Sequence, residues 1–599
     1  MKKELSSLKL QKLLIQALKY CRHGNLIEAK NIYLGLLKII PSHPDVLGNL
    51  GTIELQYGNI EIGIDYLKNS IKKNPLQPKM ISNLGNALLE LGRVKESIDY
   101  FERAIKIQPG DSPEVYYNLG RAFRIAKDFD KAINSYQKAL KIDTYHIPSF
   151  LNLGFLYNEL KQHSLAISCF DEGIKIQPKN IQLIYNRGVS YLNLNSFLPA
   201  LADFNLVIDL DNQFELAFIQ KSITLKYLYR YDEALASINS AININSLNAD
   251  NFNLKATLLE YMHHYDGALD NYDIAISLKD NFAEAKKNKA LCLLSQNNFE
   301  KSWILFKSRW EIKSYQVPLA SSKPLLEDFS IQNKFIYIWS EQGVGDQIIY
   351  SSLLADALKT KNNFYVSIDP RLLSLYERSF CGAKNVKFIS AKDKLAEEVY
   401  DFHIPIGSLG MFFRCSNKAF NDHPSGYLKS RKDFDKSLET KFKKVNQRII
   451  GISWLSKNNE IGNAKSLALA ELLPILTMPG TTFINLQYGE TKEEIKNIIS
   501  QYNINIVSVN EIDNYNDFDG LASLISVCDF VITTSNVTAH LSGALNKKTY
   551  LLLPHSHGKI WYWGTSGNSS LWYPSIHIFR SKTPKNWHGV IEELWSVLK

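Results

Sequence analysis

The turn over residues 343–346 combines residue types that suit chemistry beside a ligand. A short apolar run precedes this Gly-Val-Gly-Asp sequence and an amphipathic run follows it, which predicts a strand, a turn and a helix. Gly343 and Gly345 would let the backbone bend sharply and let a ligand approach closely. The third glycine of a dinucleotide-binding fingerprint is absent, since Ile348 stands at that position. Asp346 would then be either the N-cap of the helix or a catalytic base that faces the ligand.

Candidate ligand contacts follow two apolar runs further along the chain. Lys465 stands at the end of a polar loop, just before a helix predicted from Ser466, and there it would suit a phosphate through its charge and the helix N-terminus. The alternative is that Lys465 is solvated and Ser466 is a plain N-cap. Gln487 or Glu490, on either side of a turn at Gly489, would hydrogen-bond a nucleoside base or ribose. Turn and N-cap chemistry is the simpler interpretation of either residue alone.

A hydroxyl-rich turn follows a third apolar run and leads into a helix. Ser535, Asn536 and Thr538 offer side-chain donors beside backbone N–H groups, a combination that suits an anion. His540 and Gly543 lie on the helix face that is expected to pack toward the sheet. A lone histidine is usually structural, but its place directly after the turn leaves contact with a ligand open. The three strand ends are expected to converge, because ligands of open α/β sheets lie at the carboxyl ends of the strands.

The elements that would position these residues alternate from Phe335 onward. Apolar runs of four to seven residues alternate with amphipathic runs, which predicts parallel sheets covered by helices. Residues 391–447, which include His403, His423 and Pro424, are expected to hold irregular pieces and the crossover between two lobes. The predicted strands are 335–340, 364–368, 386–390, 448–454, 482–487, 504–507, 529–533 and 549–553. The predicted helices are 347–359, 370–380, 466–476, 492–502, 518–527, 537–545 and 587–598.

The first half of the chain is repetitive. The triplet Asn-Leu-Gly recurs with glycine spacings of 34, 35 and 34 residues, and nine small residues fall in phase with it. A second small residue follows each of them, and Pro41, Pro75, Pro109 and Pro178 close several units. This pattern predicts pairs of antiparallel helices that stack into a superhelix. The 35-residue step indicates a one-residue insertion near Asp111.

Side chains on the first helix of each unit are candidates for binding a peptide. An asparagine ladder would grip a peptide backbone through its amides, whereas the alternative is that the asparagines satisfy neighbouring helices. The ladder consists of Asn83, Asn118, Asn152 and Asn186. Aromatic residues that end the ninth unit, Trp303 and Trp310 among them, are expected to cap the superhelix or to dock it on the next domain.

The bulk composition excludes several classes of protein. The chain has 599 residues and a net charge of +9, which permits acidic partners such as nucleotide phosphates but does not call for nucleic acid. Six cysteines without metal-ligand spacing indicate a reducing compartment and mostly buried thiols. Neither a signal peptide nor a transmembrane segment is predicted, so a cytoplasmic location is expected.

The two halves resemble known families. The in-phase small residues are similar to those of tetratricopeptide repeats over about nine units. The second half resembles the two-lobed glycosyltransferase-B fold, in particular its heptosyltransferase-like branch. That resemblance rests on Gly345-Asp346, Gly451-Ile452-Ser453-Trp454, Lys465-Ser466, Asn485 to Gly489, Ser535 to Ala544 and Leu571 to Pro574. The order of the halves is also similar to that of protein O-linked N-acetylglucosamine transferases.

The resemblance implies an α-solenoid followed by an α/β part with two Rossmann-like lobes. The expected domains are a repeat superhelix over 1–314, a linker over 315–334, an N-terminal lobe over 335–445 and a C-terminal nucleotide-sugar-binding lobe over 446–599.

The resemblance also implies a function. Asp346 matches the position of the base that activates the acceptor, Lys465 matches a contact to the donor phosphate, and the turn from Ser535 to His540 matches the donor site. The implied reaction is an inverting, metal-independent transfer from a nucleotide-diphosphate sugar, with no other cofactor, to an acceptor such as a protein recruited by the repeats. The alternative is a protein-interaction scaffold whose α/β half is not catalytic.

Overall fold

The computed structural model describes residues 7–599, except residues 111, 422–424, 443–446, 459–460, 557 and 559. Asp111 of the predicted insertion therefore lies outside the described residues, as do His423 and Pro424. The chain forms two compact units, Met1–Ile244 and Asn245–Lys599. The boundary between them falls inside the predicted superhelix of residues 1–314, so the last two helix pairs belong to the same unit as the α/β half.

The first unit consists of helix pairs in its described residues. In each pair a first helix with a small residue at its centre packs on the second helix: a Cβ added to Gly154 would meet the ring of Phe170 at 2.4 Å, and one added to Gly120 would meet Tyr136 at 2.7 Å. The two helices of a pair therefore cross closely at these small residues, and the predicted pairs of helices are confirmed. The helices are α1 Ser7–Arg22, α2 Leu26–Ile39, α3 Pro44–Gln56, α4 Ile60–Lys73, α5 Pro78–Glu90, α6 Val94–Ile107, α7 Pro113–Ile125, α8 Phe129–Ile142, α9 Ile147–Glu159, α10 His163–Ile176, α11 Ile181–Asn193, α12 Phe197–Leu210, α13 Glu215–Tyr227 and α14 Tyr231–Ile244.

The predicted proline stops are also confirmed. Each of the four prolines lies two residues beyond the end of a second helix, where the pyrrolidine ring cannot extend the helix: they are Pro41, Pro75, Pro109 and Pro178.

The second unit begins with two further helix pairs, α15 Ala249–Tyr261 with α16 Tyr265–Leu278, and α17 Ala283–Ser295 with α18 Phe299–Phe306. Trp303 is buried, its Nε1 donates to the carbonyl of Arg414 at 2.9 Å, and its ring lies 5.8 Å from that of Trp561. The prediction that these aromatic residues dock the repeats on the next domain is confirmed within this unit. The predicted linker contains no helix or strand in residues 315–334, yet Leu326 is buried and its N–H donates to the carbonyl of His403.

Two parallel sheets form the α/β part, as predicted. The first has the strand order β3-β2-β1-β4 and the second has the order β10-β9-β8-β5-β6-β7. The strands are β1 Phe335–Trp339, β2 Asn363–Ile368, β3 Val386–Ser390, β4 Phe402–Pro405, β5 Arg448–Ser453, β6 Thr481–Asn485, β7 Ile506–Val507, β8 Phe530–Thr534, β9 Thr549–Leu553 and β10 Ile576–Arg580. The helices are α19 Val344–Ser351, α20 Leu354–Ala357, α21 Leu373–Ser379, α22 Gly410–Phe413, α23 Lys432–Phe442, α24 Gly462–Lys465, α25 Leu473–Leu476, α26 Lys492–Tyr502, α27 Phe518–Val527, α28 Val537–Ala544 and α29 His588–Leu598.

Several predicted elements need correction. β4, α23 and β10 were not predicted, and the helix predicted from residue 347 begins at Val344 and is interrupted before Leu354. The helix predicted from Ser466 does not exist as one element, since that region contains α24, a 3-10 helix over Leu469–Leu472 and α25. The thiols are not mostly buried: Cys381 and Cys415 are exposed, and only two of the six are fully buried. No helix among the described residues combines the length and apolar content needed to cross a membrane.

Candidate active site

The turn between β1 and α19 places Asp346 at the third residue of the helix. Gly343 is the N-cap, so the hypothesis that Asp346 is the N-cap is wrong. The carboxylate of Asp346 still stabilises the N-terminus of α19, because it accepts a hydrogen bond from the backbone N–H of Gly343. This is the return contact that an acidic residue makes from the third helical position to the N-cap.

Asp346 is an unusually basic carboxyl group. Burial raises its pKa to about 6, and the negative charge of Glu341 adds to the rise. The N–H of Gly343 and the ammonium of Lys465 act in the opposite direction. A carboxylate with a pKa near neutrality is suited to accept a proton.

A side chain of the second lobe occupies the space left by Gly345. A Cβ added to Gly345 would lie 3.0 Å from Cδ2 of His540, and α19 packs against α28. The close approach predicted for a ligand is thus made by a protein side chain. Gly343 has an ordinary extended backbone, and a Cβ there would meet only Oδ2 of Asp346 at 3.6 Å. The two lobes therefore meet at Asp346.

His540 is held as a neutral imidazole. Its Nδ1 lies 3.1 Å from the hydroxyl of Tyr573, its Nε2 lies 3.1 Å from the hydroxyl of Tyr562, and its ring stacks on Trp563. Burial lowers the pKa of His540 to about 3, and the charge of Lys465 contributes. Because both ring nitrogens have protein partners, the structural interpretation of His540 is favoured, and its contact with a ligand remains a prediction. Gly543 fits close against the same cluster, since a Cβ there would overlap Tyr573.

Lys465 is a buried cation at the end of a helix rather than at its start. It is the last residue of α24 and Ser466 is the C-cap, so both the helix N-terminus predicted here and the N-cap role of Ser466 are wrong. The hydroxyl of Ser466 donates to the carbonyl of Gly462 and accepts from the N–H of Ser456. Burial lowers the pKa of Lys465 to about 8, while Asp346 counteracts this shift. Among the described residues Lys465 has no hydrogen-bonded or ion-paired partner.

The hydroxyl-rich turn before α28 uses its side chains inside the protein. Asn536 is the N-cap: its Oδ1 accepts from the N–H of Thr538, and its Nδ2 donates to Ser453 and to the carbonyl of Leu455. The hydroxyl of Thr538 also contacts Ser453, and the hydroxyl of Ser535 accepts from Nε1 of Trp563. These internal bonds favour a structural role for the three side chains, and their donation to an anion remains a prediction. The backbone N–H of Val537 is the part of the predicted cradle that remains, because the N–H groups of Thr538 and Ala539 bond to Asn536.

Gln487 is fully engaged with the end of β5. Its Oε1 accepts from Ser453 Oγ at 3.0 Å and from the N–H groups of Trp454 and Leu455 at 2.8 Å, while its Nε2 donates to the carbonyl of Tyr488. These bonds favour a structural role for Gln487, and its contact with a nucleoside remains a prediction. These bonds and those of Asn536 tie together the ends of β8, β5 and β6, which are neighbours in the sheet. The predicted convergence of the three strand ends is confirmed.

A polar cavity of about 920 Å³ opens at the carboxyl ends of β6 and β7. Glu490 is exposed in its wall, and Gly489 adopts the left-handed conformation, with φ of 95°, that the turn prediction requires. Two tyrosine rings in the same wall, Tyr488 and Tyr515, lie 6.1 Å apart. The oxygen of Asn514 is buried there without a hydrogen-bond partner among the described residues. The contact predicted for Glu490 remains a prediction.

The asparagine ladder of the first unit mostly binds its own repeats. Asn83 and Asn152 donate to side chains of the preceding helix pair at 3.0 and 3.1 Å. Asn186 donates to a carbonyl of its own helix, and Asn118 accepts from a neighbouring arginine. The alternative, in which the asparagines satisfy neighbouring helices, is therefore favoured. Asn83 and Asn118 also line one cavity of about 510 Å³, so binding of a peptide there remains a prediction.

Residues that the sequence analysis missed surround Asp346. Glu341 forms a buried ion pair with Arg309, and Tyr562 and Tyr573 hold His540. The signals were present, because Glu341 stands five residues before Asp346 and aromatic residues are dense around Tyr562. The sequence does not show that Glu341 pairs with Arg309 or that the tyrosines contact His540. No group of three or more His, Cys, Asp or Glu side chains suited to a metal occurs in the described part of the chain.

Comparison with known proteins identifies the repeats. Residues 77–144 and residues 147–180 match family models of the tetratricopeptide repeat. Protein FlbA of Caulobacter vibrioides (strain ATCC 19089 / CIP 103742 / CB 15) is 24% identical over 338 residues, which are 52% of this chain and 54% of FlbA. The chain thus spans about half the length of this curated relative. The first part of the chain contains tetratricopeptide repeats, and an α/β region with parallel sheets follows.

Solved structures of repeat proteins also align. YrrB, a TPR protein with an unusual peptide-binding site, is 20% identical and covers 30% of this chain and 92% of its own, with a TM-score of 0.28. A tetratricopeptide repeat protein from Parabacteroides merdae ATCC 43184 is 17% identical, with coverages of 42% and 98% and a TM-score of 0.34. The C-terminal part of a TPR repeat-containing protein from Cytophaga hutchinsonii is 14% identical, with coverages of 40% and 97% and a TM-score of 0.37.

Proposed function

We propose that residues 335–599 form a glycosyltransferase that moves a sugar from a nucleotide-diphosphate sugar to a hydroxyl group of a protein recruited by the repeats. The observation that carries this proposal is the electrostatic interaction of a basic carboxylate with a buried cation where the two lobes meet. Asp346, with a pKa raised by burial to about 6, lies in the field of Lys465. One group accepts a proton at neutral pH and the other carries a positive charge.

The proposed transfer follows from these two charges. The acceptor oxygen attacks the anomeric carbon while Asp346 takes the acceptor proton, and the bond from that carbon to the phosphate oxygen breaks with its electron pair. The ammonium of Lys465, with a pKa of about 8, is charged at pH 7 and would stabilise the departing diphosphate together with the N–H of Val537 at the start of α28. Attack opposite the leaving group inverts the anomeric centre.

The polar cavity beside β6 and β7 suits the nucleoside of the donor. It lies at the carboxyl edge of the second sheet, where open α/β sheets bind their ligands. Tyrosine rings and several amide and hydroxyl groups line it, which matches the mixed polar and aromatic character of a nucleoside. Glu490 in this wall would accept from the ribose hydroxyls.

A screen of nucleotide-diphosphate sugars by thermal shift tests donor binding. A donor at a hundredfold excess over its Kd should stabilise the protein by about 2.7 kcal/mol, which raises the melting temperature of a unit as large as residues 245–599 by about 4 °C. Asp346→Asn should keep this shift and lose transfer, whereas Glu493→Gln, an exposed acid in the first turn of α26, should keep both. Unchanged turnover in Asp346→Asn would remove Asp346 as the base.

The rate of transfer should depend on pH in a bell shape. Asp346 must be ionised and Lys465 protonated, so kcat/KM should rise through pH 6 and fall through pH 8. A profile that stays flat between pH 5 and 9 would show that turnover depends on the ionisation of neither Asp346 nor Lys465.

A protein-interaction scaffold is the second candidate function. It is favoured by the internal hydrogen bonds of Asn536 and Gln487, which leave fewer side chains for a donor than the sequence suggests. Repeat arrays of this kind present extended concave surfaces to partners. If no donor in the screen stabilises the protein, the scaffold replaces the transferase as the proposed function.

A further inference from the structure

A buried ion pair holds the turn that carries Asp346. Nε of Arg309 donates to Oε2 of Glu341 at 2.9 Å, and Nη2 donates to Oε1 at 3.0 Å. The backbone N–H of Gly407 also donates to Oε1 at 2.7 Å. Both charged side chains are fully buried, with 1% and 0% exposure. Arg309 belongs to the 3-10 helix Lys307–Glu311, which directly follows the ninth helix pair, whereas Glu341 belongs to the turn after β1.

The guanidinium of Arg309 is fixed from several sides. Nη1 donates to the carbonyl of Phe306, and Nη2 donates to the hydroxyl of Ser408. The rings of Phe306 and Trp310 lie 4.2 and 4.7 Å from its central carbon. A guanidinium that lies between two rings and is bonded in this way fixes the position of Glu341 relative to the ninth repeat.

A second contact holds the next residue of the turn. Gln342 has a left-handed backbone with φ of 60°, which is uncommon for a residue with a side chain. Its N–H donates to Oε1 of Gln316 at 2.8 Å, from the segment that follows the repeats. Such a conformation persists when its surroundings determine it. The next residue, Gly343, is the N-cap whose N–H binds Asp346.

We propose that Arg309 and Gln316 are positioning residues for Asp346, so that the segment after the ninth repeat sets both the place and the charge environment of the base. This inference rests on the proposed function of that site. Arg309 balances the charge of Glu341, which otherwise acts on Asp346. The negative charge of Glu341 contributes to the raised pKa of Asp346. The other titratable groups that face this site are Lys465, His540, Tyr315, Tyr350, Tyr562 and Tyr573.

Labelling with a carbodiimide tests the charge balance without any substrate. The reagent couples to protonated carboxyl groups, so peptide mass spectrometry over a pH series gives the midpoint at which Asp346 loses its proton. Arg309→Gln should move this midpoint up and Glu341→Gln should move it down, each by about one pH unit or less, and the double variant should lie between them. Arg431→Gln, which removes an exposed ion pair, should leave it unchanged. Shifts of the two single variants in the same direction, or none, would overturn the inference.

Variants of Gln316 test the positioning in the full chain. Gln316→Ala removes the acceptor for the N–H of Gln342 and should lower kcat several-fold with donor affinity unchanged, whereas Gln316→Glu keeps an acceptor oxygen and should restore it. Equal loss in both variants would contradict the positioning role. If Arg309→Gln does not fold, the labelling midpoint of Glu341→Gln and the two Gln316 variants test the inference instead. If no transfer is detected in any protein, the proposed function fails, and the labelling midpoints still decide the inference.

Discussion

Replacing Asp346 with asparagine should make the protein more stable at neutral pH. The pKa of Asp346 is raised from 3.8 to about 6 in the folded state, so between these values the folded protein keeps a proton that the unfolded chain has released. Stability therefore falls as pH rises from about 4 to 6 and stays low above pH 6. The difference corresponds to about 3 kcal/mol at pH 7 as an upper bound, and solvent screening of this partly exposed group reduces it.

Differential scanning calorimetry at two pH values measures this effect. The asparagine side chain keeps an oxygen for the N–H of Gly343, so Asp346→Asn should raise the melting temperature of the second unit by about 2–4 °C at pH 7.5. At pH 4.5 the wild-type carboxyl is largely protonated in the folded state, and the gain should shrink to about 1 kcal/mol. Glu493→Gln serves as the matched control and should show no gain at either pH. A variant that is less stable than the wild type at pH 7.5, or equally stabilised at both pH values, would refute the reasoning.

Four further substitutions test other parts of the second unit. Gly345→Ala places a Cβ 3.0 Å from the ring of His540 and should destabilise the second unit by about 1–3 kcal/mol in calorimetry, whereas Gly343→Ala meets no such contact and should cost much less. Burial lowers the pKa of Lys465 to about 8, so its charge destabilises the fold below that pH. Lys465→Met should therefore be more stable than the wild type at pH 7, with a gain that fades above pH 10, and should bind donors at least tenfold more weakly in the thermal-shift titration. Trp303→Ala removes a buried ring and its hydrogen bond, and should lower the melting temperature of the second unit by about 5 °C.

The repeat phase and the alternation of strands and helices are properties that the sequence determined by itself. The 34-residue spacing of small residues is a local signal, because each glycine needs only its own partner helix to be close. The apolar runs likewise fall within two residues of the strands that were predicted. β4 and α23 were missed because the stretch around them carries many charges and lacks a clear period.

The identity of Asp346 as the reactive candidate was also visible in the sequence, but its chemistry was not. Its pKa depends on burial, on Glu341 and on Lys465, which belongs to α24. Only the tertiary structure decided that Asn536, Gln487 and His540 bond to protein groups. A sequence lists donors and acceptors without their partners.

The ion pair between Arg309 and Glu341 is another long-range contact that the sequence does not reveal. The two residues stand 32 positions apart and belong to different structural classes, a repeat array and an α/β lobe. Periodicity and capping act over a few residues, so they determine helices, strands and turns. Partners brought together by packing determine which of the polar residues in those turns keep a charge, which keep a proton and which are used to hold the fold.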